Sequence, residues 1–528
     1  MNQQKRFRMI VPSFPELNVY SFSKNAGSIV SVGAVMVATI VSKISEWFVE
    51  IIDENNYSGP RDKEGFPDHK VLQKKDPADV VGFYCGLTST IERVWKLAEF
   101  YKASGAKTVA GGWHTANCPD ETLSHNIDVV VHGDGEQVIP LVLDAFFKGS
   151  ELRGIPGISF VADDAVTTNP AECLCAENLD ALPFPDFGLL RFAKSVIHPI
   201  TRIRGCGMKC EFCSVNRSAV WASPEHAFKN VKWLVETRGA RKFFLVDDRM
   251  EEDMPGTIKF FQMIAEEFGS RLIFFVQTRL GIAKNKEFLD ILRAAGVRAL
   301  FIGCESPINE DLIEMRKGYT SKNMLEWVKT LRRYFWVHGM FIFGYPPKEK
   351  KFGLTAKEMF RRFWGFFAKA KFDSIQVLKP IPLVGTALRK RLEAQGRVLP
   401  LDLVPWSKYD GNFVCFAPDN MSPSDLQNYP GLLMKRFYSR KRLAWFILKT
   451  ILFPFDYLIR GWTIGFQMGW RRRWGDWHRE WFAKWLKGWQ KDLIKCVGHA
   501  LLTRWQKRYQ RSGSLKRIEQ YCREKNLL

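Results

Sequence analysis

Short apolar strands that alternate with helical segments constrain the fold of this sequence more than any other feature. In the first 150 residues, strand-like runs occur at 7–13, 47–53, 78–86, 107–112 and 129–131. A buried helix is expected within residues 26–44, and further helices lie between the later strands. Strands of this kind form an open parallel sheet whose ligands lie at the carboxyl ends of the strands. Residues 1–153 are therefore predicted to form a Rossmann-like domain.

The same alternation resumes beyond residue 200 with a longer period. Strand-like runs are found at 242–246, 272–276, 299–303, 340–343 and 375–378, and each is followed by polar residues or glycine. Successive strands that deliver such groups to one rim are how βα barrels build their sites. We predict a partial (β/α)6 barrel over residues 201–395, a proline-bounded linker over 154–200, and a mostly helical C-terminal region over 396–528.

Three cysteines in one short loop are the strongest chemical signal. The run Arg204-Gly-Cys206-Gly-Met-Lys-Cys210-Glu-Phe-Cys213 has the spacing Cys-x3-Cys-x2-Cys. Thiolates select zinc or iron–sulfur clusters over hard cations. A structural zinc site needs a fourth ligand, and His198 lies at a spacing that matches no usual zinc module. A [4Fe-4S] cluster held by only three cysteines leaves one iron open for a small molecule, and three unrelated buried thiols are the remaining alternative.

At this motif the sequence resembles the radical S-adenosylmethionine (radical SAM) superfamily, whose loop has the same spacing and an aromatic residue, here Phe212, before the last cysteine. The resemblance implies that Cys206, Cys210 and Cys213 hold a [4Fe-4S] cluster and that Phe212 lies at the cofactor. It also implies that S-adenosylmethionine (SAM) caps the open iron. One electron from the cluster would then release a 5'-deoxyadenosyl radical, which abstracts hydrogen from an unactivated carbon.

The strand ends resemble the rim of the radical SAM partial barrel in order and in residue type. An Asp-Asp pair, a Gln-x-Arg, a Gly-x-Glu-Ser and a Phe-Gly-x-Pro follow successive strands. By this resemblance Arg279 and Glu305 would contact SAM and Gly344 would admit its adenine. Asp247 or Asp248 would face the substrate or a cofactor as catalytic groups. Strand-end carboxylates also cap helices, so a structural role stays open for Asp248 and Glu305.

Two glycine-rich loops of the first domain resemble those of the cobalamin (B12)-binding domains that precede many radical SAM domains. They read Gly-Gly-Trp-His and His-Gly-Asp-Gly-Glu. Glycine allows the backbone to approach a flat macrocycle. The Asp-x-His-x-x-Gly signature that supplies an axial histidine in some cobalamin proteins is absent, so a domain without its cofactor remains an alternative. The cobalamin-binding residues implied by the resemblance are Thr88, Ser89, Gly111, Gly112, His114, Gly133, Gly135 and Glu136.

The last fifth of the chain is strongly basic and rich in tryptophan. Residues 431–528 contain 23 Lys and Arg against 6 Asp and Glu, while the whole chain has a net charge of +22. Six tryptophans at helical spacing share one face with basic residues beside it, which suits a helix lying in a membrane interface. Packing of this face against the catalytic domain is an equal alternative. A nucleic-acid partner is not expected. The six are Trp470, Trp474, Trp477, Trp481, Trp485 and Trp489.

Together these features predict a cytoplasmic, B12-dependent radical SAM methyltransferase with peripheral membrane contact. The eleven cysteines lack a secreted spacing and the polar N-terminus lacks a signal peptide. The expected partners are a small-molecule or lipid substrate and a one-electron reductant of the ferredoxin or flavodoxin type. Two alternatives stay open, which are ring closure or carbon–carbon bond formation without methylation, and an iron–sulfur electron-transfer module at a membrane.

Overall fold

The computed structural model describes residues 4–15, 29–170, 178–215, 217–348, 353–438 and 514–527, with nine further positions between 444 and 489. Contacts among the residues divide the chain into two compact units. The first contains residues 1–301 and 380–417, and the second contains residues 302–379 and 418–528.

Fifteen strands are found among the described residues. They are β1 (Lys5–Val11), β2 (Trp47–Asp53), β3 (Val80–Tyr84), β4 (Lys107–Gly111), β5 (Val129–Val131), β6 (Ile158–Ala162), β7 (Ala165–Thr168), β8 (His198–Ile200), β9 (Ile203–Arg204), β10 (Val220–Trp221), β11 (Lys242–Leu245), β12 (Ile273–Thr278), β13 (Val297–Glu305), β14 (Trp336–Ile342) and β15 (Ser374–Leu378).

Fifteen α-helices are found in the same part of the chain. They are α1 (Val32–Ser42), α2 (His69–Lys75), α3 (Ile91–Ala103), α4 (Trp113–Asn117), α5 (Pro119–Leu123), α6 (Gly135–Lys148), α7 (Pro224–Arg238), α8 (Met254–Phe268), α9 (Lys286–Ala294), α10 (Asn309–Glu314), α11 (Ser321–Tyr334), α12 (Ala356–Ala370), α13 (Ala387–Ala394), α14 (Pro423–Phe437) and α15 (Ser514–Glu524).

The first sheet has seven strands in the order β2-β1-β3-β4-β5-β6-β7. Its first five strands pair in parallel. Strand β5 is buried at all three positions, as expected of a parallel strand covered on both faces. Strands β6 and β7 extend the sheet in antiparallel pairing. Both strands lie within residues 154–200, which the sequence analysis assigns to a linker, and the short polar run of β7 carries no apolar alternation that would predict a strand.

The second sheet has six strands in the order β15-β14-β13-β12-β11-β8. Its strands follow chain order, and helices separate them, so this part has the βα-barrel pattern predicted from the sequence. A short antiparallel pair, β9 with β10, lies between β8 and β11 in the chain. The predicted α/β fold class, a Rossmann-like parallel sheet followed by a partial barrel and helices, is confirmed.

Two details of the second unit show how local chemistry set the element boundaries. Strand β14 begins four residues before the predicted run, because the His338 ring nitrogen bonds the Ser374 hydroxyl at 2.8 Å and so accommodates a polar residue within the strand. Helix α14 begins where local chemistry favours a helix start, with the Ser422 side chain accepting from the Asp425 backbone N–H and Pro423 in the first turn.

The C-terminal prediction falls mostly outside the described residues. Of the six tryptophans, only Trp485 and Trp489 are described, and their rings stack with centroids 6.4 Å apart. The membrane-facing stripe therefore stays a prediction. Among the described residues, no helix is both long enough and apolar enough to cross a membrane.

Candidate active site

The three motif cysteines lie on the loop between β9 and β10 in the first unit, and each is partly exposed. The Cys206 backbone N–H donates to the Arg217 carbonyl at 3.1 Å, and that of Cys213 donates to the Cys210 carbonyl at 3.1 Å. Gly205 has a φ of +92°, and a Cβ there would lie 2.3 Å from the Ser218 carbonyl oxygen. Only glycine fits this position, so the sequence Gly-Cys sets the turn that presents the thiols.

Two carboxylates from the strand end after β11 hold the beginning of this loop. Asp248 Oδ2 accepts the Gly205 N–H at 2.7 Å, and Glu252 Oε1 accepts the Gly207 N–H at 2.8 Å. Arg249 bonds the same Glu252 oxygen at 2.9 Å and fixes its position. Asp248, which the sequence placed at the substrate or a cofactor, therefore also anchors the cysteine loop.

The middle of the loop is held by α13. Arg391 bonds the Glu211 carboxylate at 2.6 Å, and the Leu388 N–H donates to the Glu211 carbonyl at 2.9 Å. The α13 N-terminus is capped by Thr386, whose side-chain oxygen accepts the Arg389 N–H at 3.2 Å. Charged contacts thus hold the loop on two sides, which prepares the thiols for a ligand without reorganisation.

The three thiols lie on one loop and are close enough to affect one another. Cys206 titrates in the field of the Cys210 thiol, and Cys213 titrates in the field of both other thiols. Three thiolates on one loop suit an iron–sulfur cluster that keeps one iron open. Burial raises the pKa of Cys206 and Cys213, so a bound metal would have to displace their protons.

Asp247 is buried beside the same loop and ties it to the barrel sheet. Its Oδ1 atom accepts the Arg202 N–H at 2.6 Å and the Ile203 N–H at 2.9 Å. Its Oδ2 atom is buried and has no hydrogen-bond partner among the described residues. The structure therefore gives Asp247 an anchoring contact, while its predicted catalytic role stays a prediction.

We expect Asp247→Asn to reduce the pH dependence of stability. Burial raises the pKa of Asp247 from 3.8 to about 6, so the fold favours the protonated form. The free energy of unfolding is therefore highest below pH 3.8 and falls as the pH rises to about 6. Above pH 6 it is lower by about 3 kcal/mol than below pH 3.8. Asparagine cannot ionise, so the thermal midpoint of the Asp247→Asn protein should fall less between about pH 5 and pH 8 than that of the wild-type protein. The exposed Asp163→Asn is the control, and an equal fall in Asp247→Asn would contradict the assignment.

The predicted SAM contact Arg279 directly follows β12. Its backbone N–H donates to Glu251 Oε1 at 2.9 Å, and the Thr278 hydroxyl donates to the same oxygen at 2.8 Å. Glu251 thus fixes the end of β12 in the first unit. Sequence reasoning missed Glu251 and Glu252, although the acidic run after Asp247-Asp248 was the available signal.

The second unit contains the other two predicted SAM contacts. Glu305 ends β13 with a φ of +59°, and its carboxylate bonds Lys317 Nζ at 2.8 Å. A non-glycine residue in this region is strained and common at functional sites. Gly344 has a φ of +78°, and a Cβ there would lie 2.4 Å from Leu426 Cδ1. The Gly344 backbone also lines a cavity of about 230 Å³.

The acidic residue Asp311 lines the same cavity in the second unit. Its carboxylate accepts a hydrogen bond from the Ser306 hydroxyl at 2.5 Å. Burial raises the pKa of Asp311 to about 7, so it exchanges a proton near neutral pH. Ser306 belongs to the Gly-x-Glu-Ser motif, but the sequence gave no reason to connect it with Asp311.

The glycine-rich loops of the first sheet follow β4 and β5, at the carboxyl ends predicted for a ligand. Gly112 has a φ of +133°, and a Cβ there would lie 2.5 Å from the Cys85 carbonyl carbon, so the chain must have glycine there. At Gly111 a Cβ would meet only Val131, at 3.7 Å. Thr88 and Ser89 follow β3 and are buried. Small and hydroxyl-bearing positions therefore surround this sheet edge.

His114 does not present its ring at the surface of this loop. The side chain is fully buried, with Nδ1 3.3 Å from the Thr88 hydroxyl and Nε2 3.6 Å from Glu121 Oε2. Its predicted direct contact with cobalamin stays a prediction, and the orientation favours a role behind the loop.

The loop after β5 is joined to the cysteine loop by a group of four charges, which we call the loop clamp. Arg204 Nη2 lies 2.8 Å from Glu136 Oε1, and Arg204 Nη1 lies 3.2 Å from Asp134 Oδ2. Arg217 bonds the other Asp134 oxygen at 2.8 Å. Glu136, predicted as a cobalamin contact, is 5% exposed at its side chain and forms this ion pair instead of presenting a free carboxylate. Sequence reasoning missed the clamp because its members lie about 70 residues apart.

Two family models match the chain at these features. Residues 200–357 match the radical SAM superfamily, and residues 23–143 match the B12 binding domain. The first match contains the cysteine loop and the barrel strand ends, and the second contains the sheet edge with the glycine loops.

The chain is a radical SAM enzyme with a B12-binding domain.

Relatives of this radical SAM enzyme include several methylating enzymes. It is 27% identical over 356 residues to an uncharacterised methyltransferase of Pyrococcus horikoshii, covering 64% of this chain and 74% of that protein. It is 24% identical to the anaerobic magnesium-protoporphyrin IX monomethyl ester cyclase of Cereibacter sphaeroides, covering 64% of this chain and 56% of that protein. It is 26% identical to the hopanoid C-3 methylase of Methylococcus capsulatus, over 48% of this chain and 51% of that protein.

Solved structures share the fold of this radical SAM enzyme at low identity. The cobalamin-dependent SAM radical enzyme OxsB aligns with a TM-score of 0.61 and 13% identity, over 100% of this chain and 82% of that one. The radical SAM methyltransferase TsrM of Kitasatospora setae aligns with a TM-score of 0.59 and 16% identity, over 74% and 78% of the two chains.

The predicted cofactors, a [4Fe-4S] cluster, SAM and cobalamin, are confirmed for this radical SAM enzyme. The three thiols fit the cluster, since they lie together on one loop that Asp248, Glu252 and Arg391 hold in place. The sheet edge fits a corrinoid, because a side chain at Gly111 would meet no protein atom closer than 3.7 Å, which leaves open space beside the backbone.

Proposed function

We propose that this radical SAM enzyme methylates an unactivated carbon of a hydrophobic small molecule. The loop clamp carries the proposal, because it joins the loop of the B12-binding sheet to the strand that leads into the cysteine loop. Two cofactors whose loops are joined in one compact unit can serve one substrate. When bound, the cluster with SAM supplies hydrogen abstraction, and cobalamin supplies the methyl group.

The residues of the chain position these cofactors. Asp248 and Glu252 fix the cysteine loop through backbone N–H groups, which leaves the thiols free to bind iron. Phe212 is proposed to lie beside the cluster, and Arg279 is proposed to contact SAM from the end of β12.

The remaining proposed contacts follow from the resemblance to radical SAM and cobalamin-binding proteins. Glu305 and Gly344 are proposed to hold the ribose and adenine of SAM. Corrinoid binding is proposed for Thr88, Ser89, Gly111, Gly112, Gly133 and Gly135, and the positioning of the loops around it for His114 and Glu136.

The hydrophobic nature of the substrate is inferred from the relatives and from the composition of the tail. One relative is named as a methylase of hopanoids, which are lipids. The basic, tryptophan-rich tail would suit an enzyme that meets such a substrate at a membrane surface. We accordingly propose a cytoplasmic protein with peripheral membrane contact, a hydrophobic or lipid substrate, and an external one-electron donor of the ferredoxin or flavodoxin type.

Product mass tests this proposal. Anaerobically reconstituted full-length protein with SAM, a low-potential reductant, cobalamin and a hopanoid as the probe should give products that are heavier by about 14 mass units per methyl group. SAM carrying a deuterated methyl group should shift the product further. A product that has lost hydrogen and gained no carbon relative to the substrate would favour ring closure, the reaction for which the cyclase relative is named. No 5'-deoxyadenosine under any reductant would favour an electron-transfer module.

A further inference from the structure

A second group of metal-ligand side chains lies behind the loop after β4. His114 on α4, Cys118 between α4 and α5, and Glu121 on α5 bring their ligand atoms within 4.8 Å of one another. The Cys118 N–H bonds the His114 carbonyl at 3.0 Å, so the chain turns once between the histidine and the cysteine. The set is separate from the three cysteines of the cluster loop and combines nitrogen, sulfur and oxygen donors.

The histidine of this group has a buried ring nitrogen whose hydrogen bonding is not satisfied among the described residues. His114 is fully buried, and its Nε2 atom has no hydrogen-bond partner among the described residues. The Glu121 Oε2 atom faces it at 3.6 Å, beyond hydrogen-bond length. Leaving a buried polar atom without a partner is unfavourable, so such an atom usually has a hydrogen-bond partner or a bound ion. A cation between the two atoms would satisfy both.

The surrounding residues orient these side chains as in established metal sites. The Thr88 hydroxyl lies 3.3 Å from His114 Nδ1, which leaves Nε2 to face Glu121 and Cys118. Trp406 Nε1 donates to Glu121 Oε1 at 2.9 Å, which leaves Oε2 toward the histidine. The Trp406 ring also packs edge-on against the His114 ring at 5.0 Å. A metal-binding histidine or carboxylate typically has its other polar atom held in this way.

We propose that His114, Cys118 and Glu121 bind one zinc ion, with a fourth position open to solvent. Imidazole nitrogen, thiolate sulfur and carboxylate oxygen are the donors that zinc takes. The distance of 3.6 Å between Nε2 and Oε2 is close to the edge of about 3.4 Å expected for a tetrahedral ion with bonds of about 2.1 Å. Binding replaces the thiol proton of Cys118 and involves no change of oxidation state.

The proposed ion would stabilise the loop that follows β4. Glu121 is bonded to Trp406, which belongs to the segment 380–417 of the same unit, and His114 follows the Gly111-Gly112 turn. Zinc on both side chains would fix that turn against this segment. The inference does not depend on methylation or on the substrate.

Metal analysis of the full-length protein tests the site. We expect anaerobically purified protein, loaded with zinc(II) and dialysed, to retain about one zinc per chain, and Cys118→Ala or His114→Ala to retain at least about ten times less. Glu121→Gln keeps the size of the side chain and should raise the zinc Kd about tenfold or more. Cys522→Ala, which removes a buried thiol in the second unit, should leave the zinc content unchanged.

Zinc bound adventitiously to an empty cluster loop is excluded by a second variant. The triple variant Cys206→Ala/Cys210→Ala/Cys213→Ala should keep its zinc, and X-ray absorption at the zinc edge should show one sulfur among nitrogen and oxygen neighbours. Three results would overturn the proposal. They are loss of zinc from the triple variant, retention of zinc by Cys118→Ala, and absence of zinc from the native protein after loading. His114 and Glu121 would then form an ion pair only.

Discussion

Cys210→Ala should abolish the visible absorption of the iron–sulfur cluster and the release of 5'-deoxyadenosine from SAM. The three cysteines lie on a loop that contacts with Asp248, Glu252 and Arg391 hold in place, so removing one thiol leaves two ligands at fixed positions. With two ligands the cluster would be lost or left without its single open iron. We expect iron per chain to fall at least about tenfold and radical chemistry to fall below detection.

The control for this experiment is a cysteine outside the loop. Cys522→Ala removes a buried thiol from α15 and should retain iron and turnover. Circular dichroism would confirm that both variants are folded. A Cys210→Ala protein with a full iron content would show that the cluster is held in some other way, and the assignment of the motif would be wrong.

Arg204→Ala should uncouple hydrogen abstraction from methyl transfer. Its side chain is 14% exposed, and its partner Glu136 is 5% exposed, so the substitution leaves a buried carboxylate without its cation. Breaking a buried pair in this way costs about 3–5 kcal/mol. We expect lower thermal stability and at least a tenfold fall in methylated product per 5'-deoxyadenosine. The loop clamp would no longer hold the loop after β5, which is proposed to bind the corrinoid, to the cysteine loop.

Two matched variants separate the clamp from a general loss of charge. Arg153→Ala removes an exposed pair with Asp163, where both side chains are more than half exposed, and should change stability by less than about 1 kcal/mol. The double variant Arg204→Ala/Glu136→Gln removes both charges, so it should recover stability without restoring coupling. Equal product ratios in wild-type and Arg204→Ala protein would refute a positioning role for the clamp.

Local sequence predicted the parts of the site that depend on neighbours in the chain. The Cys-x3-Cys-x2-Cys spacing, with Gly205 before it, determines a tight turn with three thiols, because only glycine can adopt the φ of +92° found there. The strands could be predicted because a strand of a parallel sheet is buried on both faces and therefore appears in the sequence as a short apolar run bounded by polar residues. The capped start of α14 followed from Ser422 and Pro423 alone.

Contacts between distant parts of the chain could not be predicted in this way. Arg204 and Glu136 look like ordinary surface charges in the sequence, and Trp406 gives no sign that it bonds Glu121, 285 residues away. Burial is decided by the neighbours that folding brings together, so it has no local signal. The same reason explains why His338, a polar residue, was wrongly left out of β14.

The sequence by itself determined the chemistry of this protein, because the identity and spacing of ligand residues and glycines are local properties of the chain. They do not depend on which distant residues pack around them. It determined the three thiols, the glycine loops and the alternation of strands with helices. The tertiary structure alone decided which charges hold the cysteine loop, that Glu136 is paired with Arg204, and that His114 faces Cys118 and Glu121. These are properties of distance and burial, and only the packed chain fixes them.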